Sequence, residues 1–346
     1  MIRHSVLSPE ESKSLASRID FATFSGREVL ITGASGMIGA YVASSLIQGC
    51  SLQGLYPPKL TLLSRTLRSG NITLFSSFPC VRVVETELLE WNVDRDFDFL
   101  IHAASPASPT KYRDPDSVIQ ANLGFLRRIQ KQAMPRSTLF ISSGEVYGSS
   151  PPRWVDENYK QPFIPPSSRA VYPEAKIASE SLLWEMGADG STSPFVARLF
   201  HSFGPGLKMD DGRSFGDFLW SAARGRDLSL MSSGASVRTL LYIEDAVAGL
   251  LTVLTKGNPG EPYNIGSSFP MSISEFAELV GQVSEVQVHY PSSSEKPKAD
   301  YIHSPNHVIV PSIEKASSLG WKQMVRLDVG IRRTIDWIQR ELRGGK

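Results

Sequence analysis

The sequence predicts an α/β protein built as a doubly wound parallel sheet with a smaller, mostly C-terminal α+β lobe. Three observations predict it. Short apolar, β-branched runs alternate with helix-length segments from Arg27 to about Phe200, and a glycine turn joins the first run to the first long helical segment. After about His201 the pattern changes to loops rich in Gly, Pro, Ser and Asp mixed with helices. Strands separated by helices must pair in parallel, with helices on both faces and right-handed crossovers.

Taken in order, residues 1–26 read as an N-terminal extension. Ser8-Pro9-Glu10-Glu11 carries an N-cap hydroxyl, a proline for the first turn and a capping-box acid, so it opens a short helix lying across the outside of the main domain. Glu28–Thr32 is the first strand, and Met37 to about Gln48 the first long helix. Further strands are expected at Leu60–Leu63, Phe99–Ala103, Thr138–Ser142 and Phe195–Phe200. In the second lobe, helices are expected over Ser214–Arg224, Glu244–Thr255 and Ser274–Val283, and Pro291–Lys298 reads as an exposed polar loop. The expected division is therefore 1–26, a main domain over 27–200 and a lobe over 201–346, with strand exchange between the last two.

Composition narrows the function classes. Among 346 residues, 36 Lys+Arg stand against 35 Asp+Glu, and the formal charge of +1 gives no basic field for nucleic acid or an anionic membrane. No apolar run reaches the roughly 20 residues of a bilayer span, and the N-terminus is too polar for a secretory signal. Cys50 and Cys80 make no disulfide framework, and the six histidines form no metal-ligand pair. A metal-free protein of the reducing cytoplasm is the expectation.

Thr32-Gly33-Ala-Ser-Gly36-Met37-Ile38-Gly39 lies between a strand and a helix. Gly33 permits the tight turn, Gly36 admits a pyrophosphate to the backbone and Gly39 lets the helix pack on the strand, as in a Rossmann-type dinucleotide site. The phosphates then face the positive end of the helix, near Met37 and Ile38. The acid that usually meets the adenosine ribose is missing from the end of the second strand, where Leu62-Leu63-Ser64-Arg65 stands. Arg65 suits the 2′-phosphate of NADP, a stacked adenine or plain solvent exposure, and the residues leave these open.

Two further motifs carry chemistry. Tyr172-Pro-Glu-Ala-Lys176 puts a phenol and an ammonium one turn apart on a helix. An ordinary phenol, with a pKa of about 10, stays protonated at neutral pH, and a nearby ammonium together with a positive nicotinamide ring would lower that value toward the working range. Phe140-Ile-Ser-Ser143-Gly144-Glu145-Val-Tyr147-Gly148 follows a strand and sets a hydroxyl and a carboxylate at its carboxyl end, where a substrate lies.

The glycine motif, S-S-G-E-V-Y-G and Y-P-E-A-K, in this order and spacing, resemble the extended short-chain dehydrogenase/reductases that modify nucleotide sugars. The similarity runs from about residue 27 to 342. His102-Ala103-Ala-Ser105-Pro-Ala-Ser-Pro109, Ser168-Arg-Ala-Val-Tyr172, Arg198-Leu-Phe-His-Ser-Phe-Gly-Pro205, Met209-Asp-Asp-Gly-Arg213 and Leu319-Gly-Trp321 stand nearest to its UDP-glucuronate decarboxylases.

The resemblance implies bound NAD, with Gly33, Gly36, Met37, Ile38, Gly39, Arg65, Ala103 and Lys176 around it. Tyr172 becomes the base, Lys176 its anchor on the cofactor ribose, Ser143 the hydroxyl partner and Glu145 the carboxylate near sugar C5. Arg238 grips the nucleotide phosphates, with Arg213, Ser105 and His201 as further substrate contacts.

Transient oxidation at C4 would prepare decarboxylation of UDP-glucuronate. The alternatives are a 4,6- or 5,6-dehydratase or epimerase, an NADP-dependent reductase and a catalytically silent dinucleotide-binding protein. Three departures bear on the choice: Gly144 replaces the aspartate of the 4,6-dehydratases, Ser143-Gly144-Glu145 stands where the decarboxylases usually have Thr-Ser-Glu, and His201 stands where the family mostly has Asn. The family pattern also implies a homodimer joined through helices at about 115–133 and 169–186.

Overall fold

A computed structural model describes residues 6–67, 70–106, 114–148, 151–160, 170–209, 212–291 and 308–344. Seven parallel strands form the central sheet: β1 Glu28–Thr32, β2 Lys59–Ser64, β3 Val81–Glu85, β4 Phe99–His102, β5 Ser137–Ser143, β6 Ser193–Leu199 and β7 Pro262–Ile265. Their order across the sheet is β7-β6-β5-β4-β1-β2-β3. The chain thus reverses direction between β1 and β4, where Thr32 lies opposite His102. That switch point is where a doubly wound sheet leaves a ligand crevice.

The helices are α1 Pro9–Arg18, α2 Met37–Leu52, α3 Pro115–Ile119, α4 Phe125–Gln130, α5 Val171–Ala188, α6 Ser214–Ala223, α7 Ile243–Lys256, α8 Ile273–Ser284, α9 Glu314–Ser318 and α10 Leu327–Gly344. Those expected in the second lobe lie within a residue of their predicted ends. The helix expected over 115–133 stops at Gln130, and its middle, Gln120–Gly124, widens into a π turn between α3 and α4. The fourth strand ends at His102, one residue short of expectation, because Ala103 leaves the sheet to pass the glycine turn. The edge strand β3, Val-Arg-Val-Val-Glu, has no continuous apolar run to announce it, being only half-buried. Residues 292–298 of the expected polar loop lie outside the described residues.

Side chains of β1 alternate between two apolar layers, as the pleat requires. Val29 and Ile31 join Phe21, Phe24, Tyr41, Val42 and Leu46 on one face, with Leu250 and Leu251 of α7. Leu30 points to the other, among Leu100, Phe125, Phe140, Leu183 and Met186. Residues beyond 201 build smaller ribbons: Ser202–Phe203 pairs in parallel with Leu241–Tyr242, and Val237–Arg238 pairs antiparallel with Met271–Ser272. From the same half of the chain, β7 returns to the main sheet beside β6.

The extension is tightly fastened. Ser8 accepts from the Glu11 amide at 3.2 Å and its own amide donates to Glu11 Oε2 at 2.7 Å, a complete capping box with Pro9 in the first turn. Ser12 donates to Gln48 at 2.5 Å, and the Gln53 amide group donates to the carbonyls of Ala16 and Ile19 at 2.8 and 2.7 Å. A Cβ on Gly49 would stand 2.3 Å from the Phe21 ring, so the small residue in α2 admits the aromatic one. Among the described residues no helix is long and apolar enough to cross a membrane.

The three motif glycines do different work. Gly33 has φ +72°, and a Cβ there would lie 2.7 Å from the Ala104 nitrogen; on Gly39 it would lie 2.5 Å from the Gly33 carbonyl oxygen. Both obstacles are backbone. On Gly36 it would meet only that same oxygen, at 3.2 Å. Gly33→Ala and Gly39→Ala should therefore each lose about 1–3 kcal/mol of unfolding free energy in urea titrations. Gly36→Ala should lose less than about 1 kcal/mol.

Candidate active site

The floor of the crevice is the turn between β1 and α2. Gly36 N–H donates to the Gly33 carbonyl at 2.9 Å and Gly36 is the N-cap of α2, with no side chain capping the helix. Helix geometry leaves the amides of Met37, Ile38 and Gly39 without intrahelical acceptors, so this end of α2 suits an anion. Met37 and Ile38 are half-buried against the core. Arg65 is exposed at the carboxyl end of β2, the strand next to β1. The glycine cradle, the uncapped helix end and the placement at the switch point fit a dinucleotide pyrophosphate.

Beside the turn, a buried relay holds the loop after β4. Thr32 Oγ1 lies 2.6 Å from His102 Nδ1 and accepts from the Ala104 amide at 3.2 Å. His102 Nε2 lies 2.9 Å from the Ala121 carbonyl, which can only accept; Nε2 therefore carries the hydrogen and Nδ1 accepts from Thr32. The ring is stacked between Phe125 and Phe140, with centroids 4.9 and 5.7 Å away. Burial, reinforced by the nearby Lys176 charge, pushes its pKa down to about 3, so the ring is neutral.

Ser143, Glu145, Tyr172, Ser105 and Arg213 converge at the carboxyl end of β5. The Tyr172 hydroxyl is hydrogen-bonded to those of Ser143 and Ser105, with the charges of Glu145 and Arg213 within electrostatic reach. Ser143 also accepts from the Glu145 amide at 3.1 Å, capping the single turn Gly144–Tyr147 that aims the carboxylate. Lys176, one turn along α5 from Tyr172, donates to the Ile141 carbonyl at 2.7 Å. Its nitrogen sits 4.5 Å from the Phe140 centroid and 5.7 Å from that of Tyr172.

The expected lowering of the phenol pKa calls on the positive nicotinamide ring as well as the ammonium, and the protein's own groups on balance pull the other way. Burial, with the Glu145 carboxylate adding to it, raises the Tyr172 pKa well above that of an ordinary phenol. The Ser143 bond, the Arg213 charge and the Ser105 bond pull it down but are outweighed. Lys176 itself is pushed down to about 7 by burial, against an upward pull from Glu180. A cation half-discharged at neutral pH is a weak electrostatic partner for the phenol.

His201 and Arg213 bracket one ring. The His201 imidazole meets Phe215 edge-on at 6.4 Å, and the Arg213 guanidinium carbon lies 5.0 Å from its centroid. Arg238 stands on a separate ribbon opposite Met271, half-buried, its Nη1 donating to the Val237 carbonyl at 2.6 Å. Ala107–Pro109, Ser168, Arg169, Asp210 and Asp211, part of the stretches that carried the resemblance, lie outside the described residues. Among the described residues no three His, Cys, Asp or Glu side chains cluster to hold a metal.

Several residues that shape the site escaped the sequence reading. Asn122, fully buried in the π turn, donates to Ser105 Oγ at 3.1 Å and to the Val118 carbonyl at 2.7 Å. Glu180 takes Ser142 Oγ at 2.5 Å and Arg198 Nη2 at 2.7 Å, and Arg198 reaches the Tyr147 hydroxyl at 3.1 Å. The signals were there. Asn122 interrupts an apolar helix face at Val118 and Phe125, and Glu180 lies four residues after Lys176, on the same face.

The Epimerase family model, described as the NAD dependent epimerase/dehydratase family, matches residues 29–266. UDP-glucuronic acid decarboxylase 1 of Danio rerio is 27% identical over 330 residues, covering 91% of this chain and 73% of that protein. UDP-glucuronic acid decarboxylase 6 of Arabidopsis thaliana is 27% identical over 316 residues, 89% of this chain and 87% of its own. Among solved structures, the epimerase Mth375 of Methanothermobacter thermautotrophicus superposes with a TM-score of 0.76 at 20% identity, covering 95% of this chain and 96% of that one. Because the family model spans the central sheet from β1 to β7, crevice and catalytic cluster included, this chain is an enzyme of the NAD dependent epimerase/dehydratase family.

Proposed function

We propose that the protein is a redox-neutral nucleotide-sugar enzyme that decarboxylates UDP-glucuronate. The observation that carries this reading is the placement of the Glu145 carboxylate and the Arg213 guanidinium about the Tyr172 hydroxyl. Similarity to UDP-glucuronic acid decarboxylases along 91% of the chain supports it. Gly144 departs from the serine of the decarboxylases as well as from the aspartate of the 4,6-dehydratases, and only the second loss removes an acid. A Cβ there would lie 2.7 Å from the Phe200 ring, so no acid for a leaving hydroxyl stands at this position, and the ring fills the space.

NAD, when bound in the crevice, supplies the acceptor and later the donor of a hydride at sugar C4. Tyr172 takes the proton of the C4 hydroxyl, with Ser143 and Ser105 holding that oxygen in place. With C4 a ketone, the sugar carboxylate is β to a carbonyl. The C5–C6 bond breaks, CO2 leaves and the electron pair stays in an enolate. Glu145 controls the proton that returns to C5. Arg213 balances negative charge at this end of the pocket, and Arg238 with His201 binds the nucleotide side. Lys176 orients the cofactor ribose next to Tyr172. The division into 1–26, 27–200 and 201–346 follows the same logic, dinucleotide in the main domain and nucleotide sugar against the second lobe, with β7 as the exchanged strand.

We also propose a cytoplasmic homodimer. Ile119 on α3 and Ile177 and Trp184 on α5 are large apolar side chains left 38%, 37% and 59% exposed, on the helices expected to pair with a second copy. Sedimentation at micromolar concentration should give twice the chain mass, and a monomer would refute the pairing.

Incubation with UDP-glucuronate should release CO2 and leave NAD at its starting level; no release would hand the function to the epimerase alternative. Glu145→Gln should slow CO2 release about 10²–10⁴-fold, as loss of a positioned general acid or base does. It also removes a charge that raises the Tyr172 pKa. The acidic limb of NADH formation in a single turnover should therefore move to lower pH in that variant. For Lys176 the sign is set by a folded pKa of about 7 against the ordinary lysine value of 10.5. Between pH 7 and 9 the unfolded chain holds a proton that the folded one has released, so this group makes NAD-free protein more stable as pH rises, by up to about 1.4 kcal/mol per pH unit. Lys176→Met should flatten that slope in urea titrations.

A further inference from the structure

We infer that the N-terminal helix α1 is a positioning clamp for the nucleotide end of the substrate site, acting through a hydrogen bond from the Tyr242 hydroxyl to the Glu11 carboxylate. The inference rests on the proposed roles of Arg238 and His201. It concerns a segment that lies outside the matched family region, which begins at residue 29.

The two candidate nucleotide-side residues flank one short ribbon in the chain, His201 next to its first strand and Arg238 on the adjoining ribbon, opposite Met271. His201 immediately precedes Ser202–Phe203, and its carbonyl accepts from the Leu241 amide at 2.9 Å. Arg238 lies three residues before Leu241–Tyr242, the strand paired with Ser202–Phe203. Whatever sets the register of this two-residue pair therefore fixes His201 directly and the point from which the chain runs back to Arg238. So short a pair cannot hold its own register and needs an outside anchor.

Tyr242 is that anchor. Its ring is fully buried, edge-on to Phe203 at 5.7 Å, and α10 makes room for it with Gly330, where a Cβ would stand 2.7 Å from the ring. Its hydroxyl donates to Glu11 Oε1, which also accepts from the Tyr41 hydroxyl at 3.1 Å. Tyr41 belongs to α2, two residues past the pyrophosphate cradle at Gly39. Glu11, only 2% exposed, thus ties the cofactor-side helix to the substrate-side ribbon through one oxygen.

A second set of contacts fixes α1 itself. Ser14 donates to Glu244 at 2.5 Å, and Arg18 reaches Glu244 at 3.3 Å and Asp245 at 2.7 Å. Arg333 of α10 closes on Glu244 from the other side at 2.8 Å. A segment packed only to cover apolar surface has no need of three buried carboxylates, and burying them is costly unless each is held in a defined geometry.

The test is calorimetric titration of UDP into the full-length NAD-bound protein, wild type against Tyr242→Phe and Glu11→Ala. Tyr242→Phe keeps the ring and its packing and removes only the hydroxyl. Both variants should weaken the UDP dissociation constant about fivefold or more, within the usual span of couplings between sites, while NAD content and binding stoichiometry stay at wild-type levels. A merely structural role would instead lower the stoichiometry and the melting temperature and leave the dissociation constant of the folded fraction unchanged; that result overturns the clamp. Wild-type protein that fails to bind UDP would overturn the reading of Arg238 and His201 and the clamp together. Wild-type binding with indistinguishable variants would overturn the clamp alone.

Discussion

The close approach of the Gly33 backbone to that of Ala103 and Ala104 governs the rest of the structure. Two strands that diverge at a switch point would ordinarily leave a gap filled by side chains. Here a missing Cβ lets the two turns touch within 2.7–2.8 Å of where that atom would stand, and the neutral His102 locks them by bonding Thr32, which in turn takes the Ala104 amide. The loop after β4 is thereby drawn over the crevice. Ser105, carried on that loop, reaches both Asn122 and Tyr172. A constraint on one glycine thus travels through a histidine, a threonine and a serine to the phenol that would meet the sugar.

The charges around that phenol obey one economy. His102 and Lys176 are both buried basic groups, and burial in low dielectric favours the neutral form of each. Lys176 keeps the higher proton affinity because an amine starts more basic than an imidazole; beyond burial, Glu180 one turn further along α5 pulls it up, whereas His102 feels the Lys176 charge as a repulsion. Glu180 is in turn held by Ser142 and by Arg198, whose own charge it stabilises. Burial therefore sets the ionisation of Lys176, and a carboxylate fastened by Ser142 and Arg198 opposes it. Tyr172 is poised differently: Glu145 raises its proton affinity and Arg213 lowers it, so any anionic substrate that recruits Arg213 also changes the phenol.

Much of this was legible in the sequence, and the reasons it was are physical. Strands with both faces buried, such as β1 and β5, read as uninterrupted apolar runs, and the glycine turn is dictated by backbone contacts that no other residue satisfies. Capping residues are local, so Ser8, Pro9 and Glu11 announced α1. The edge strand β3 stayed hidden because one side of it has nothing to bury against. Asn122 and Glu180 stayed hidden because their partners, Ser105 and Arg198, lie 17 and 18 residues away and meet them only in the folded sheet. The surroundings of Tyr172 were legible only in part: helical spacing shows that Lys176 is near, but not that burial half-discharges it or how closely the Glu145 carboxylate approaches from the turn after β5.

The Gly144 position shows how packing selects among related chemistries. An aspartate there would supply a second acid, as the resemblance to 4,6-dehydratases requires, but the volume belongs to Phe200. That ring cannot simply swing away. It stacks on Tyr147 at 6.1 Å, and a Cβ on Gly266, just past β7, would lie 3.1 Å from it. The Tyr147 hydroxyl donates to Asn264 of β7 at 2.7 Å and accepts from Arg198, the partner of Glu180. An acid at residue 144 would thus have to displace a ring wedged between the active-site turn and the strand contributed by the later half of the chain. A single substitution adds the carboxylate without the room it needs, at the cost of an overpacked core, about 1–3 kcal/mol or more. Glu145 without an aspartate before it is the arrangement this packing permits. On the proposed reading that carboxylate serves a proton at C5, and residue 144 contributes no acid to expel a hydroxyl.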